Sequence, residues 1–365
     1  MSNDKTFSQG NFARNQPQGG ARAKGQPRED AASAASESDL ALRPQSLADF
    51  IGQEKLVGHL AVYLGAARAR GDALDHVLFY GPPGLGKTTL ARIMAEEMGV
   101  NIVITTAPAI ERAGDLASIL TSLQERDVLF IDEIHRLRAN IEETLYSAME
   151  DYAIDIVIGQ GAGARTVRIP LPRFTLIGAS TRTGLLSAPF MARFGIVNRL
   201  EYYTPAEIAR IIRRNAGLLG IATSEDGVAA FSERVRGTPR VCNTLLRRLR
   251  DFLQVEKHPR LDAPFVEKTL ENLGIDALGL DAMNRRYLEV LIRDFEGGPV
   301  GVETLAVSLS EDKETLSDVY EPFLIQLGMI KRTLRGRVAI KRAYQHLGIA
   351  WTPVAARDAL QEELL

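Results

Sequence analysis

Cysteine occurs once in the chain, at Cys242, which excludes an internal disulfide framework and a multi-cysteine zinc site. That thiol stands among apolar and basic residues of a helical stretch and reads as a packed bystander; its isolation suits a reducing compartment. No apolar run reaches membrane-spanning length and no charged-then-apolar segment opens the chain, so neither insertion nor secretion is supported and the cytoplasm is expected. Charge of one sign is lacking too. With 44 Lys and Arg against 46 Asp and Glu the formal net charge is −2, so a nucleic acid would have to be met by a local basic patch. The guanine signature N-K-x-D occurs nowhere, which favours adenine in any nucleotide site.

What is present suits a soluble protein of two or three domains: 365 residues, 45% hydrophobic and 25% charged. Residues 1–40, rich in Gly, Gln, Asn, Ser and Ala, bury too little apolar surface to offset their ordering entropy and are expected to be a disordered tail. From 41 to 202, short β-rich runs ("HVLFY", "NIVITT", "DVLFID", "FTLIGAST") alternate with helical stretches, which predicts a parallel sheet covered by helices on both faces. Thr204, Pro205 and Glu207 form a capping-box start, and helical patterns continue to 275 as a small all-helical domain. Three short helices and two strands about "LRGR" follow over 276–349, the order of a winged helix-turn-helix; 350–365 is left as a tail.

The stretch "GPPGLGKTT" follows the strand "HVLFY" and precedes a helical pattern stopped by Gly99. Gly81, Gly86, Lys87 and Thr88 satisfy G-x-x-x-x-G-K-[ST] in the setting that motif requires. Its glycines, Gly84 among them, let the backbone around Leu85 wrap phosphates. Lys87 supplies charge at the β and γ phosphates, and the hydroxyl of Thr88, with Thr89 beside it, faces Mg²⁺. "DVLFIDEIH" delivers Asp132, which would hold Mg²⁺ through water, and Glu133, which would polarise the attacking water. "FTLIGAST" ends in Ser180 and Thr181; a hydroxyl there reaches the γ-phosphate or lytic water, or merely caps a turn.

"AIDIVIGQGAGARTVRIPLP" alternates on either side of a Gly-rich turn and predicts a β-hairpin at about 153–170. Ile154, Ile156 and Ile158 share one face of its first arm, with Val167 and Ile169 in the second; such a face packs on its own domain or docks a partner. In the last domain "SEDKETLSDVYE" is mostly acidic, whereas Lys331, Arg332, Arg335, Arg337, Lys341 and Arg342 follow with no acid between them. Basic groups on a wing suit phosphate contacts, which give affinity without reading sequence.

"GPPGLGKT", "DEIH", "GAST", "MARFG" and "GTPR", in this order, resemble the AAA+ ATPases. "RPQSLADFIGQ", "MEDYAIDIVIGQG", "RFGIVNRLEYYT" and "DVYEPFLIQLG" are similar to the bacterial Holliday-junction branch-migration motors within that family, over about Leu42 to Trp351. The resemblance implies an α/β AAA+ P-loop ATPase core, a helical lid and a winged-helix domain. It also implies a homo-oligomeric ring, hexameric in kind, that uses ATP and Mg²⁺ to move duplex DNA through four-way junctions. A RuvA-like junction-binding protein would dock on the hairpin through Ile156, Ile158, Val167 and Ile169, and a RuvC-like resolvase is a further implied partner. Arg193 would be the finger that reaches a neighbour's γ-phosphate and Arg240 the lid sensor. Leu42, Arg43, Ile51 and Tyr203 would flank the nucleotide, Thr181 would act with Glu133 and Lys87 in catalysis, and Arg332, Arg335 and Arg337 would touch DNA. Met191 stands where relatives commonly carry arginine, and Leu334 where proline is usual before "RGR". A clamp-loader or replication-initiator ATPase, and a nucleotide-binding regulator whose wing reads an operator, are the alternatives left by the residues alone.

Overall fold

A computed structural model of the protein describes residues 41–158 and 165–351, with the side chains of 156–158 excepted. The expected tails therefore lie outside the described residues, apart from 350 and 351, and so does the hairpin turn.

Helix α1 (Glu54–Arg70) precedes strand β1 (Val77–Tyr80), and α2 (Lys87–Met98), β2 (Ile102–Thr106), α3 (Ala113–Ser122) and β3 (Val128–Asp132) follow. Next come α4 (Ala139–Asp151), the hairpin strands β4 (Ala153–Ile158) and β5 (Arg165–Pro170), β6 (Thr175–Ser180), α5 (Ala188–Met191) and β7 (Ile196–Arg199). Strands β2, β3, β6, β1 and β7 lie in that order and pair in parallel. The central strands β1, β3 and β6 are apolar almost throughout, because helices cover both their faces. One face packs on α1 and α2 through Leu60, Leu90 and Phe130; the other packs on α3, α4 and α5 through Leu116, Leu145 and Phe190. The edge strand β7 has only four residues, of which Ile196 is buried in the core, and no apolar run announces it in the sequence.

The lid consists of α6 (Pro205–Leu218), α7 (Glu225–Arg234), α8 (Pro239–Glu256) and α9 (Ala263–Asn272), and its core is continuous with the α1–α2 side of the ATPase core. Thr204 and Glu207 close a reciprocal capping box, as the sequence predicts. Cys242 is fully buried in this core, and burial pushes its thiol up, away from the reactive thiolate.

A separate core holds the last domain together, formed by α10 (Ala282–Arg293), α11 (Val302–Leu309), α12 (Lys313–Thr315), α13 (Glu321–Gln326), β8 (Ile330–Thr333), β9 (Gly336–Ala339) and α14 (Lys341–His346). Between α12 and α13 the chain makes a π-helical turn over Leu316–Tyr320. Pro322, in the first turn of α13, cannot donate to the helical ladder, and the wider turn accommodates that gap. Arg236 of the lid donates to the Gly279 carbonyl at 2.7 Å and to Asp281 at 2.9 Å, and its guanidinium lies 4.8 Å from the Phe323 ring centroid, so lid and winged helix are fastened together.

Candidate nucleotide site and its surroundings

The phosphate loop emerges from β1 at the carboxyl edge of the sheet, where the path of the chain reverses direction and ligands characteristically bind. Its glycines Gly81, Gly84 and Gly86 all have positive φ. Gly84 (φ 79°) faces the lid, where a Cβ would meet Thr238 Cγ2 at 2.8 Å and Arg240 Cβ at 3.1 Å. Gly86 (φ 108°) caps α2, with Phe50 at 3.1 Å from the same hypothetical atom. The free N–H groups of the first turn of α2, which carries Lys87, Thr88 and Thr89, are donors suited to an anion.

Lys87 is buried and donates to the Gly81 and Pro82 carbonyls, both at 2.8 Å, so the loop itself holds the ammonium in place. Burial pulls its pKa down to about 8, against the opposing pull of Asp132 and Glu133. Asp132 ends β3 and accepts the Glu133 N–H at 2.9 Å; Glu133 itself occupies the left-handed region (φ 54°), uncommon for a residue with a side chain. Burial and then Asp132 raise the Glu133 carboxyl pKa, the direction a water-activating base needs. Strand β6 ends beside the loop, since the Gly81 N–H donates to the Ser180 carbonyl at 3.1 Å. Thr181 is the next residue and is half-buried, while the Ser180 side chain is turned inward to His135.

The segment before α1 and the lid complete the walls. Tyr203 donates to the Leu85 carbonyl at 3.1 Å, and its ring fills the space that a side chain at Gly52 would need. Leu42 is buried, its carbonyl held by Arg214 at 2.9 Å, and Ile51 is packed against the same core. Arg240 starts the lid helix α8, and its N–H reaches the Gly84 carbonyl at 3.3 Å. Arg43 has its pKa lowered by burial and then by Arg92 and Arg240, so three guanidiniums press on one another at the site. Arg92 was missed by motif reading, although it lies on α2 only five residues after Lys87.

Among the described residues no cluster of three or more acidic, His or Cys side chains could cage a metal. The Thr88 hydroxyl and the Asp132 carboxylate are oxygen donors of the kind taken by Mg²⁺, an ion that keeps several waters and binds one or two protein oxygens together with substrate phosphates.

Arg193 is not among the charges that shift Lys87 or Glu133. It donates to Glu150 at 2.9 Å and to the Pro189 carbonyl at 2.8 Å, and lies 4.8 Å from the Tyr146 ring centroid.

In the hairpin, Ile154 is buried and Ile169, paired with it, packs on the α3–α5 side of the core. Val167 is 42% exposed, while the side chains of Ile156 and Ile158 lie outside the described part. The base of the hairpin thus packs on its own domain, and Val167 is the predicted partner contact whose side chain is open to solvent.

The three wing arginines divide in the same way. Arg332 and Arg337 both bond the fully buried Glu321, at 2.5 and 3.0 Å, and Tyr287 donates to the same carboxylate at 3.1 Å. Sequence reading placed this acid at the end of the acidic stretch before the basic run, but missed its pairing with the two arginines. Arg335 remains exposed beside Leu334 at the tip.

A lid helix that touches the phosphate loop, and an appended winged helix, set the class: the chain is an AAA+ P-loop ATPase. Family models sharpen it. One described as the Holliday junction DNA helicase RuvB P-loop domain matches residues 42–200, the RuvB AAA lid domain matches 203–276 and the RuvB C-terminal winged helix domain matches 277–348. The Holliday junction branch migration complex subunit RuvB of Oleidesulfovibrio alaskensis is 58% identical over 311 residues, 85% of this chain and 97% of that protein. Its counterpart in Rubrobacter xylanophilus is 54% identical over 329 residues, 89% of this chain and 93% of that one. The structure of the Thermotoga maritima RuvB Holliday junction branch migration motor is similar with a TM-score of 0.79 at 47% identity, covering 86% of this chain and 100% of that one. The chain belongs to the RuvB family.

Proposed function

We propose that this chain is the ATP-driven motor of Holliday-junction branch migration, working in the cytoplasm as a homo-oligomeric, hexameric ring with a RuvA-like junction-binding protein and, downstream, a RuvC-like resolvase. The observation that carries the reading is the joining of a phosphate-binding loop with its strand-end acids to a winged helix in one chain, in a family whose members are named for branch migration. Among the described residues no helix is long and apolar enough to cross a membrane, which is compatible with that location.

In this reading Lys87 and the N–H groups of the loop and α2 bind the β and γ phosphates of ATP. Arg43, Ile51, Leu42 and Tyr203 wall the base and sugar side. Thr88 and, by way of water, Asp132 would hold Mg²⁺, which would supply charge neutralisation for the phosphates. Glu133 takes the proton of the attacking water, and Thr181 orients that water or the γ-phosphate. Arg193 of one subunit leaves Glu150 and serves the γ-phosphate held by its neighbour; planar guanidinium donors suit the charge that develops on the transferred phosphoryl group. Arg240 carries the change of nucleotide state into α8, and the Arg236 anchor passes lid motion to the winged helix, where Arg335 tracks the DNA backbone. The hairpin docks the junction-binding partner through Val167, Ile156 and Ile158.

The test is a synthetic four-way junction given ATP and Mg²⁺, with and without the junction-binding partner. Junction dissociation into duplex products that needs hydrolysable ATP supports the reading. One-off clamp or origin loading, or sequence-selective binding without turnover, contradicts it.

A further inference from the structure

The residue following Thr181 makes a connection that the functional reading above does not use. Arg182 donates to both carboxylate oxygens of Asp318, from Nε at 2.9 Å and from Nη2 at 2.5 Å, with the two side chains about one-third exposed. Such a two-pronged pair fixes orientation as well as distance. Asp318 sits in the π-helical turn of the winged helix, a local geometry frequent at functional sites. Its turn is bonded to the wing. Ser317, its neighbour, accepts from Arg332 at 2.6 Å, and Glu321, three residues on, is held by Arg332 and Arg337.

On the ATPase side, the Arg182 N–H donates to Ser180 Oγ at 3.0 Å, and the same hydroxyl lies 3.1 Å from His135 Nδ1. A hydroxyl that accepts from a backbone N–H has its own proton left to give. Given to Nδ1, it leaves the ring proton on Nε2, which faces Glu133 Oε2 at 3.6 Å. That separation is just beyond hydrogen-bond reach, so a ring displacement of about half an ångström decides whether the carboxylate is held by the imidazole or free to take a water proton. The His135 side chain is 4% exposed and Ser180 is buried, so solvent offers them little alternative partnership. Asp318 is also among the charges that act on both His135 and Glu133.

We propose that Asp318 is a positioning residue for ATP hydrolysis: through Arg182, Ser180 and His135 it lets the placement of the winged helix set the orientation of Glu133. DNA load on the wing is thereby read at the carboxylate that activates water, within the same subunit. The proposal rests on the motor reading given above.

The test compares the unsubstituted chain with Asp318→Asn in the full-length, assembled protein, measuring fluorescent ATP-analogue binding, duplex binding, and turnover with and without duplex DNA. The expected result is analogue binding, duplex binding and DNA-free turnover within twofold of the parent, with the DNA-stimulated increment reduced at least fivefold. The exchanged pair, Arg182→Asp with Asp318→Arg, should regain at least half of that increment. Full stimulation in Asp318→Asn overturns the proposal, as does a loss of duplex binding that accounts for the whole deficit, or an exchanged pair no better than the single variant. Absence of DNA-stimulated turnover in the parent would instead strike the motor reading, and with it this proposal, and is distinguishable because it is seen before any substitution.

Discussion

At the scale of the residue, Lys87 and Glu133 are set by their surroundings in opposite senses. Burial lowers the lysine to about 8 and raises the glutamic acid. Bound phosphates favour the charged ammonium, so above pH 8 ATP binding has to take up a proton, and affinity must fall as pH rises from 7 to 9. Calorimetry in buffers of different ionisation enthalpy checks this: proton uptake near pH 8 to 9 is expected, and Lys87→Ala should lose most binding together with its pH dependence. Affinity that is flat across that range contradicts the assignment. Glu133→Gln should bind ATP within a fewfold of the parent and hydrolyse it about 100-fold more slowly or worse, measured as phosphate release. These residues were legible in the sequence because the loop and the strand-end acids are local spacings. The partnership of His135 with Ser180 was not, since it joins positions 45 apart and depends on β3 and β6 lying side by side.

At the scale of the element, the wing shows why a charge run is an incomplete guide. Lys331 to Arg342 contains no acid, yet Arg332 and Arg337 are engaged by Glu321, which lies 11 and 16 residues before them on α13. Folding brings the strands back over that helix, and a linear scan of charge cannot register the return. Removing Glu321 leaves Arg337, whose side chain is 18% exposed, without its partner. Glu321→Ala is therefore expected to cost about 3 kcal/mol in denaturant unfolding of the winged helix. Arg335→Ala should leave the melting temperature unchanged, weaken duplex binding uniformly across sequences and reduce the salt slope by about 1. A variant Arg335→Ala that binds DNA with an unaltered salt slope would remove the wing tip from the interface. The hairpin behaves likewise: alternation alone reveals two arms, while the division into a packed base at Ile154 and Ile169 and an exposed Val167 depends on the core beneath.

At the scale of the whole molecule, the proposed finger has contacts of its own, apart from those of the phosphate loop. Lys87, Asp132 and Glu133 gather at the carboxyl edge of the sheet, whereas Arg193 is held by Glu150, the Pro189 carbonyl and Tyr146, where it shifts neither Lys87 nor Glu133. The alternation of strands and helices, the capping box at Thr204 and the helix-helix-helix-strand-strand order made the three-part architecture readable from the sequence. The lid's merger with the ATPase core and the Arg236 and Arg182 anchors were not readable, because each joins segments distant in the chain. In the proposed motor, neighbouring subunits complete each other's sites. Mixing Arg193→Ala with Lys87→Ala tests it most directly, with assembly verified by light scattering. Each variant alone should be nearly inactive, and the mixture should regain measurable ATP turnover from interfaces that pair an intact loop with an intact finger. Mixed rings that form and still hydrolyse no more ATP than either variant alone would contradict the account.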